Sequence, residues 1–136
     1  DLTPFDLSPD RVLGRQGLSW SPGGSRLVIG TQLNNSSNAE ELIITSFNGT
    51  SLTITASFNF NKDVNAVDWS PTGTYIAVGL DSTTQNIRIF QHQLSPEKIV
   101  EIQAARVGES KSVASMHWDD TGTYLLVGIN SGVTSE

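Results

Sequence analysis

Cysteine is absent from this chain, methionine occurs once and only 16 % of the residues carry a charge. Without thiols there are no disulfides, no zinc–thiolate sites and no thiol nucleophile. The same absence leaves the compartment open. No apolar run approaches the roughly 18 residues that a membrane-spanning helix needs, so no membrane partner is expected. The first residues, Asp1-Leu2-Thr3-Pro4, do not read as a signal peptide, although a processed chain would show none. Positive charge is also scarce. Arg11, Arg15, Arg26, Lys62, Arg88, Lys98, Arg106 and Lys111 stand singly among 14 acidic residues, for a net charge of −6. A nucleic-acid binder needs a basic stripe to neutralise phosphates, and none is present.

The sequence does hold a repeat. Trp20-Ser21-Pro22-Gly23-Gly24, Trp69-Ser70-Pro71-Thr72-Gly73 and Trp118-Asp119-Asp120-Thr121-Gly122 each precede a short apolar run ending in glycine (Gly30, Gly79 and Gly128), at intervals of 49 residues. Self-similarity at a fixed period of this size marks an array of one structural unit. Ser or Asp at the first corner, Pro22 or Pro71 where its fixed φ suits a type I turn, and Gly24, Gly73 or Gly122 at the closing left-handed position predict a bulged hairpin. The runs around it, with Val64, Val67 and Trp69 before and Tyr75-Ile76-Ala77-Val78 after, are too short for helices and read as strands. Residues 41–47 and 52–58, separated by Asn48-Gly49, supply two more strands in the first period. Residues 86–90 and 98–102, separated by a loop holding Pro96, supply two in the second. Four strands per period follow, with loops of unequal length between them.

These motifs resemble the WD-repeat (WD40) family of β-propellers, in which each repeat forms a four-stranded blade. The resemblance covers Gly14 to Gly128. The family's Trp-Asp pair is replaced by Phe90-Gln91 and Phe47-Asn48, its Gly-His pair is missing, and the period exceeds the roughly 40–45 residues usual for it. The repeats are therefore WD-like and divergent; propellers of protease-associated and periplasmic kinds use a similar turn. The expected fold is all-β, with about 2.5 to 3 blades: residues 1–13 as a strand of a neighbouring blade or a linker, 14–62 as blade 1, 63–111 as blade 2, and 112–136 as a partial blade 3. Closed propellers have roughly four to eight blades. The array is thus a piece of a longer propeller, a chain that closes a ring with its own copies, or an open stack.

Candidate chemistry is thin. A serine triad requires a histidine between nucleophile and carboxylate. The two histidines are His92, expected in solvent near a loop, and His117, expected on the strand face opposite Trp118. There is no Gly-x-Ser-x-Gly elbow. Residues 108–112 lack the Gly-Lys pair of a phosphate loop, and Asp119-Asp120 lacks the alternating ligands of a calcium loop. Neither a metal nor a cofactor is expected. Sequons at Asn34, Asn35 and Asn48 carry little weight in Asn-rich loops.

Trp20, Trp69 and Trp118 are expected between blades, with Gly30, Gly79 and Gly128 as the repeat's other structural positions. The rival reading makes the tryptophans a sugar-stacking platform. If the rings are core, ligand contacts fall to rim loops such as 31–40 and 80–85. The resemblance implies a non-catalytic scaffold or protein-interaction module with a protein or peptide partner, and cytoplasmic by the family's habit. The alternatives are a carbohydrate-binding or self-assembling propeller completed by a homo-oligomer, or an accessory domain of an exported hydrolase.

Overall fold

Each tryptophan-led turn closes the same hairpin. In the computed structural model, which describes residues 4–7, 11–32, 40–108 and 112–130, the amides of Gly24, Gly73 and Gly122 donate to the carbonyls of Ser21, Ser70 and Asp119 at 2.8–2.9 Å. Ser21, Ser70 and Asp119 in turn donate their own amides to Arg26, Tyr75 and Tyr124 at 2.8–2.9 Å. Gly73 sits at φ 77°, a left-handed conformation that side chains with a Cβ adopt only at a cost. The first-corner side chain completes the turn: Ser70 Oγ accepts the Tyr75 amide at 3.0 Å, and Asp119 Oδ1 accepts the Tyr124 amide at 2.7 Å.

Ten strands follow in chain order. They are β1 (Leu13–Trp20), β2 (Arg26–Thr31), β3 (Leu42–Phe47), β4 (Leu52–Phe58), β5 (Val64–Trp69), β6 (Tyr75–Leu80), β7 (Ile87–Leu94), β8 (Glu97–Ala105), β9 (Ser112–Trp118) and β10 (Leu125–Asn130). Neighbours β1 to β4 pair antiparallel, as do β5 to β8 and the pair β9–β10. These are two four-stranded blades and the inner hairpin of a third. Blades 1 and 2 touch edge to edge through their inner strands, β1 and β5, which run parallel with Gln16 opposite Ala66.

Two cores lie between blades, not within them. Val28, Leu42 and Ile44 of blade 1 meet Val64, Val67, Trp69 and Val78 of blade 2, with Phe90 entirely buried among them. Ala66, Ala77 and Ile87 of blade 2 meet Val113 and Met116 of blade 3. A regular strand puts residues three apart on opposite faces. Val64 and Val67 nevertheless share one, because the β5–β6 register shifts between Val64 and Ala66; β1 and β9 carry shifts at comparable places. A bulge in each inner strand therefore turns an odd spacing into a common face.

One feature differs from the sequence-based expectation. Strand β7 runs on to Leu94 and β8 begins at Glu97, so the loop around Pro96 shrinks to Ser95-Pro96, joined by a cis peptide bond. Residues 4–7 form no strand; Phe5 and Leu7 lie instead on Leu27, Ile29 and Ile43 of blade 1. Most of the loop 31–40, namely 33–39, lies outside the described residues, as do Leu2 and residues 109–111. No helix in the described residues is long and apolar enough to cross a membrane.

Candidate functional site

The residue before each repeat tryptophan is Ser19, Asp68 or His117, and the fold gathers the three into one ladder where the inner strands end. Ser19 Oγ donates to Asp68 Oδ1 at 3.1 Å and accepts the Trp69 amide at 3.0 Å. One blade further on, Asp68 Oδ2 accepts the Trp118 amide at 2.7 Å and lies 3.2 Å from His117 Nδ1. The side chain before one tryptophan thus caps the amide of the next. Asp68 is 9 % exposed and has both carboxylate oxygens occupied, which is how a buried charge is tolerated. Gln16 adds a second tie, donating from Nε2 to the Met116 carbonyl at 2.8 Å and accepting the Met116 amide at 2.9 Å.

A serine, an aspartate and a histidine together invite comparison with a hydrolytic triad. The order is wrong for one. Activation of a serine needs the imidazole between hydroxyl and carboxylate, whereas here the carboxylate stands in the middle. The hydroxyl proton of Ser19 points to Asp68 and not to His117. Asp68 and Ser19 were not singled out by sequence reasoning, although their place directly before the tryptophans at the 49-residue period was the available signal. A shallow cleft of about 270 Å³ runs along the ladder, edged by Pro22, Pro71, Trp118 and Asp120.

The other histidine is the larger correction. His92 was expected in solvent; its side chain is 5 % exposed. Because β7 continues past Phe90, the ring is carried against Trp69, edge to face at 5.1 Å. Its Nε2 lies 3.0 Å from Glu97 Oε1, and Glu97 receives Arg26 of blade 1 in a two-point contact, from Nε at 2.5 Å and Nη2 at 3.1 Å. This cluster latches the two blades beside Trp69. The hydrogen bond from Arg26, reinforced by His92, holds the Glu97 carboxyl below its ordinary value of 4.5 against the opposing effect of burial. A depressed carboxyl contributes stability above the unfolded value and loses it as the pH falls through the folded one. We therefore expect acid unfolding curves to show a loss of stability beginning near pH 4.5 and continuing below it, and Glu97→Gln to flatten that part of the profile. A variant curve parallel to the wild type throughout would contradict this. Asp119, exposed in its turn, is also held low, chiefly by the Thr121 hydroxyl and the Tyr124 amide.

The tryptophans differ in burial. Trp69 is 5 % exposed and donates from its indole nitrogen to the Gly73 carbonyl at 3.1 Å. Trp118 is half-buried and donates to the Asp68 carbonyl at 3.3 Å. Trp20 is 49 % exposed and packs edge to face on Phe47. The repeat glycines are hollows for the next blade: a Cβ on Gly30 would lie 2.4 Å from Val64 Cγ1, and one on Gly79 would lie 2.4 Å from Val113 Cγ1. Gly128 meets only Ser115 of its own hairpin. The turns lie one behind the other in the same way: a Cβ added at Gly73 would come 3.8 Å from Pro22 Cδ, and one at Gly122 would come 3.5 Å from Pro71 Cδ. On the opposite rim, a polar cleft of about 250 Å³ is lined by Arg15, Gln32, Asp63, Asn65, Asp81 and Asn130. Among the described residues no group of three or more His, Asp or Glu side chains is placed to hold a metal.

Comparison with known proteins bears on the same repeats. Residues 45–91 match the family model described as WD domain, G-beta repeat. The match opens in β3 of blade 1 and ends in β7 of blade 2, so the sequence unit straddles a blade boundary. A chain of the COPII outer coat vertex on membranes superposes with a TM-score of 0.68 at 20 % identity, over 90 % of this chain and 32 % of that one. A chain of the mitotic checkpoint complex gives 0.58 at 20 % identity, over 97 % and 39 %. An auxiliary nutrient binding protein from Bacteroides thetaiotaomicron gives 0.58 at 9 % identity, over 84 % and 25 %. This chain spans well under half the length of each. No curated protein matches the sequence.

Proposed function

Proceeding from a chain that carries a WD repeat and folds as blades of a WD-type propeller, we propose that it is a non-catalytic scaffold whose rim binds a protein or peptide partner. Similar folds occur in multi-protein assemblies, the COPII coat and the mitotic checkpoint complex. The observation that carries the reading is the use made of the polar residues between blades. Ser19 and Asp68 hold the backbone of neighbouring blades in register, Gln16 ties the inner strand of blade 1 to that of blade 3, and Arg26, Glu97 and His92 latch blade 1 to blade 2. The polar side chains that converge at the inner strands stiffen the stack, and the loops and turns at its two ends are what it presents.

Of the two ends, the cleft at Arg15, Asp63, Asn65 and Asp81 is the more enclosed by polar side chains, and it combines a cation, two carboxylates and amides. Such a mixture suits a peptide segment with its own backbone donors and acceptors. The sugar-platform reading gains no support from Trp69, whose ring is closed off between blades. The test is site-directed photo-crosslinking in cell extract, with the crosslinker at Asp81 on this rim or at Ile54 on the outer strand. Proteins captured reproducibly at Asp81 and not at Ile54 would support the reading. Equal capture at both, or none at Asp81, would overturn it.

A further inference from the structure

The turn between β3 and β4 gathers hydrogen-bond donors around one side-chain oxygen. Asn48 Oδ1 accepts the Thr50 amide at 3.0 Å, the Thr50 hydroxyl at 3.0 Å, the Ser51 amide at 2.9 Å and the Ser51 hydroxyl at 3.2 Å. A neutral amide oxygen has two lone pairs, so this set of donors exceeds what it can use. The tetrahedral oxyanion formed by attack on Cγ has a third lone pair and a full negative charge, and it would use more of them. Donors that serve a developing oxyanion better than the ground state lower the barrier to reaction. The nucleophile stands next in the chain. To reach the Thr50 amide, the Asn48 side chain folds back over Gly49 as in an Asx turn, which carries Cγ toward the Gly49 nitrogen. Gly49 sits at φ 96° and has open space where a Cβ would stand, so nothing obstructs the approach. Both residues are exposed to water.

We propose that Asn48 is a self-modifying site, at which the folded turn promotes deamidation of its own asparagine. The Gly49 nitrogen, giving its proton to solvent, forms a bond to Asn48 Cγ; the carboxamide C–N bond breaks and ammonia departs, leaving a cyclic succinimide. Water then opens the ring. Hydrolysis at Cγ gives aspartate and hydrolysis at the backbone carbonyl gives isoaspartate; in both cases water is consumed and ammonia released, with no oxidant or reductant. Either product places a new negative charge at the end of the β3–β4 hairpin. Isoaspartate also routes the backbone through an extra methylene, beside the Phe47–Leu52 pair and the bond from the Phe47 amide to the Ser25 carbonyl. Because the Phe47 ring packs on Trp20, the change reaches the first tryptophan-led turn. Asn59 supplies an internal comparison. It is exposed and accepts the Asn61 amide at 2.9 Å, but the residue that follows it is Phe60.

The proposal is independent of the rim reading. Its test is peptide mapping by mass spectrometry after incubation at neutral pH in isotopically labelled water, for the folded chain, the chain unfolded in guanidinium, and a folded Thr50→Val, Ser51→Ala double variant. The variant loses both hydroxyl donors and keeps both amides, and its circular dichroism should match the wild type. Asn48 should take up heavy oxygen about tenfold faster in the folded chain than in the unfolded one, the rate effect of one net hydrogen bond. The double variant should lose most of that advantage, and Asn59 should stay intact while Asn48 converts. A folded rate equal to or below the unfolded one, a double variant as fast as the wild type, or Asn59 keeping pace with Asn48 would each overturn the proposal.

Discussion

Trp69→Ala is expected to lower the stability of the chain by about 3–5 kcal/mol, the range for truncating a buried aromatic side chain. Whole-domain stabilities run at about 5–15 kcal/mol, so the loss should be plain as an early midpoint in urea denaturation. Three consequences combine in that figure. The ring is 5 % exposed within the largest core, and its removal leaves a void in the cluster that it shares with Val28, Ile44, Val78 and Phe90. The Gly73 carbonyl loses the indole donor that ties the ring to the hairpin turn. His92 loses the surface on which it rests, and with it the Arg26–Glu97 latch loses its backing. Trp20→Ala is the matched control, since that ring is 49 % exposed and has no blade on its receiving side among the described residues. The Trp20 change should cost well under half as much. A Trp69→Ala loss below about 1 kcal/mol would mean that the ring does not hold the blades together.

That contrast also marks what was legible in the sequence. Trp20, Trp69 and Trp118 stand in nearly the same local context, and the context announced the hairpin, the turn glycine and the strand order correctly. It carried no information about burial, because burial of a tryptophan here depends on whether another blade precedes it. The ladder of Ser19, Asp68 and His117 was hidden for a related reason. Sequence patterns pick out residue types suited to chemistry, whereas this position holds three different polar residues joined only by their geometry. His92 was misplaced because Pro96 suggested a long loop; two residues sufficed for the turn, and β7 gained enough length to bring the ring under cover. Strict alternation would put Val64 and Val67 on opposite faces, and the bulge in β5 brings them to one. Strand identity follows from local pattern, but the side chains that join blades are chosen by contacts 49 residues away.

Gly79→Ala tests that long-range fit more directly than any truncation. The added Cβ would stand 2.4 Å from Val113 Cγ1 and 2.8 Å from Met116 Sδ. Methionine can move its sulfur aside, but Val113 is β-branched and stiff at χ1, and it is wholly buried between blades 2 and 3. Relief therefore requires β9 to withdraw from β6, which disturbs the Asp68 contact to the Trp118 amide as well. Overpacking of this kind costs about 1–3 kcal/mol and sometimes more. Blade 3, tied down by one hairpin, should loosen first, so hydrogen exchange at β9 and β10 ought to quicken before that of β6. Adding Val113→Ala removes the nearest colliding methyl group and leaves the Val113 Cβ at 2.8 Å, so the clash is eased but not abolished. The double variant should be more stable than the sum of the two single losses predicts, a coupling that contacting residues show and distant ones do not. Gly23→Ala serves as the control, since nothing lies within 4 Å of its added carbon. A Gly79→Ala variant as stable as the wild type, or one strictly additive with Val113→Ala, would show that the hollow is not what seats one blade on the next.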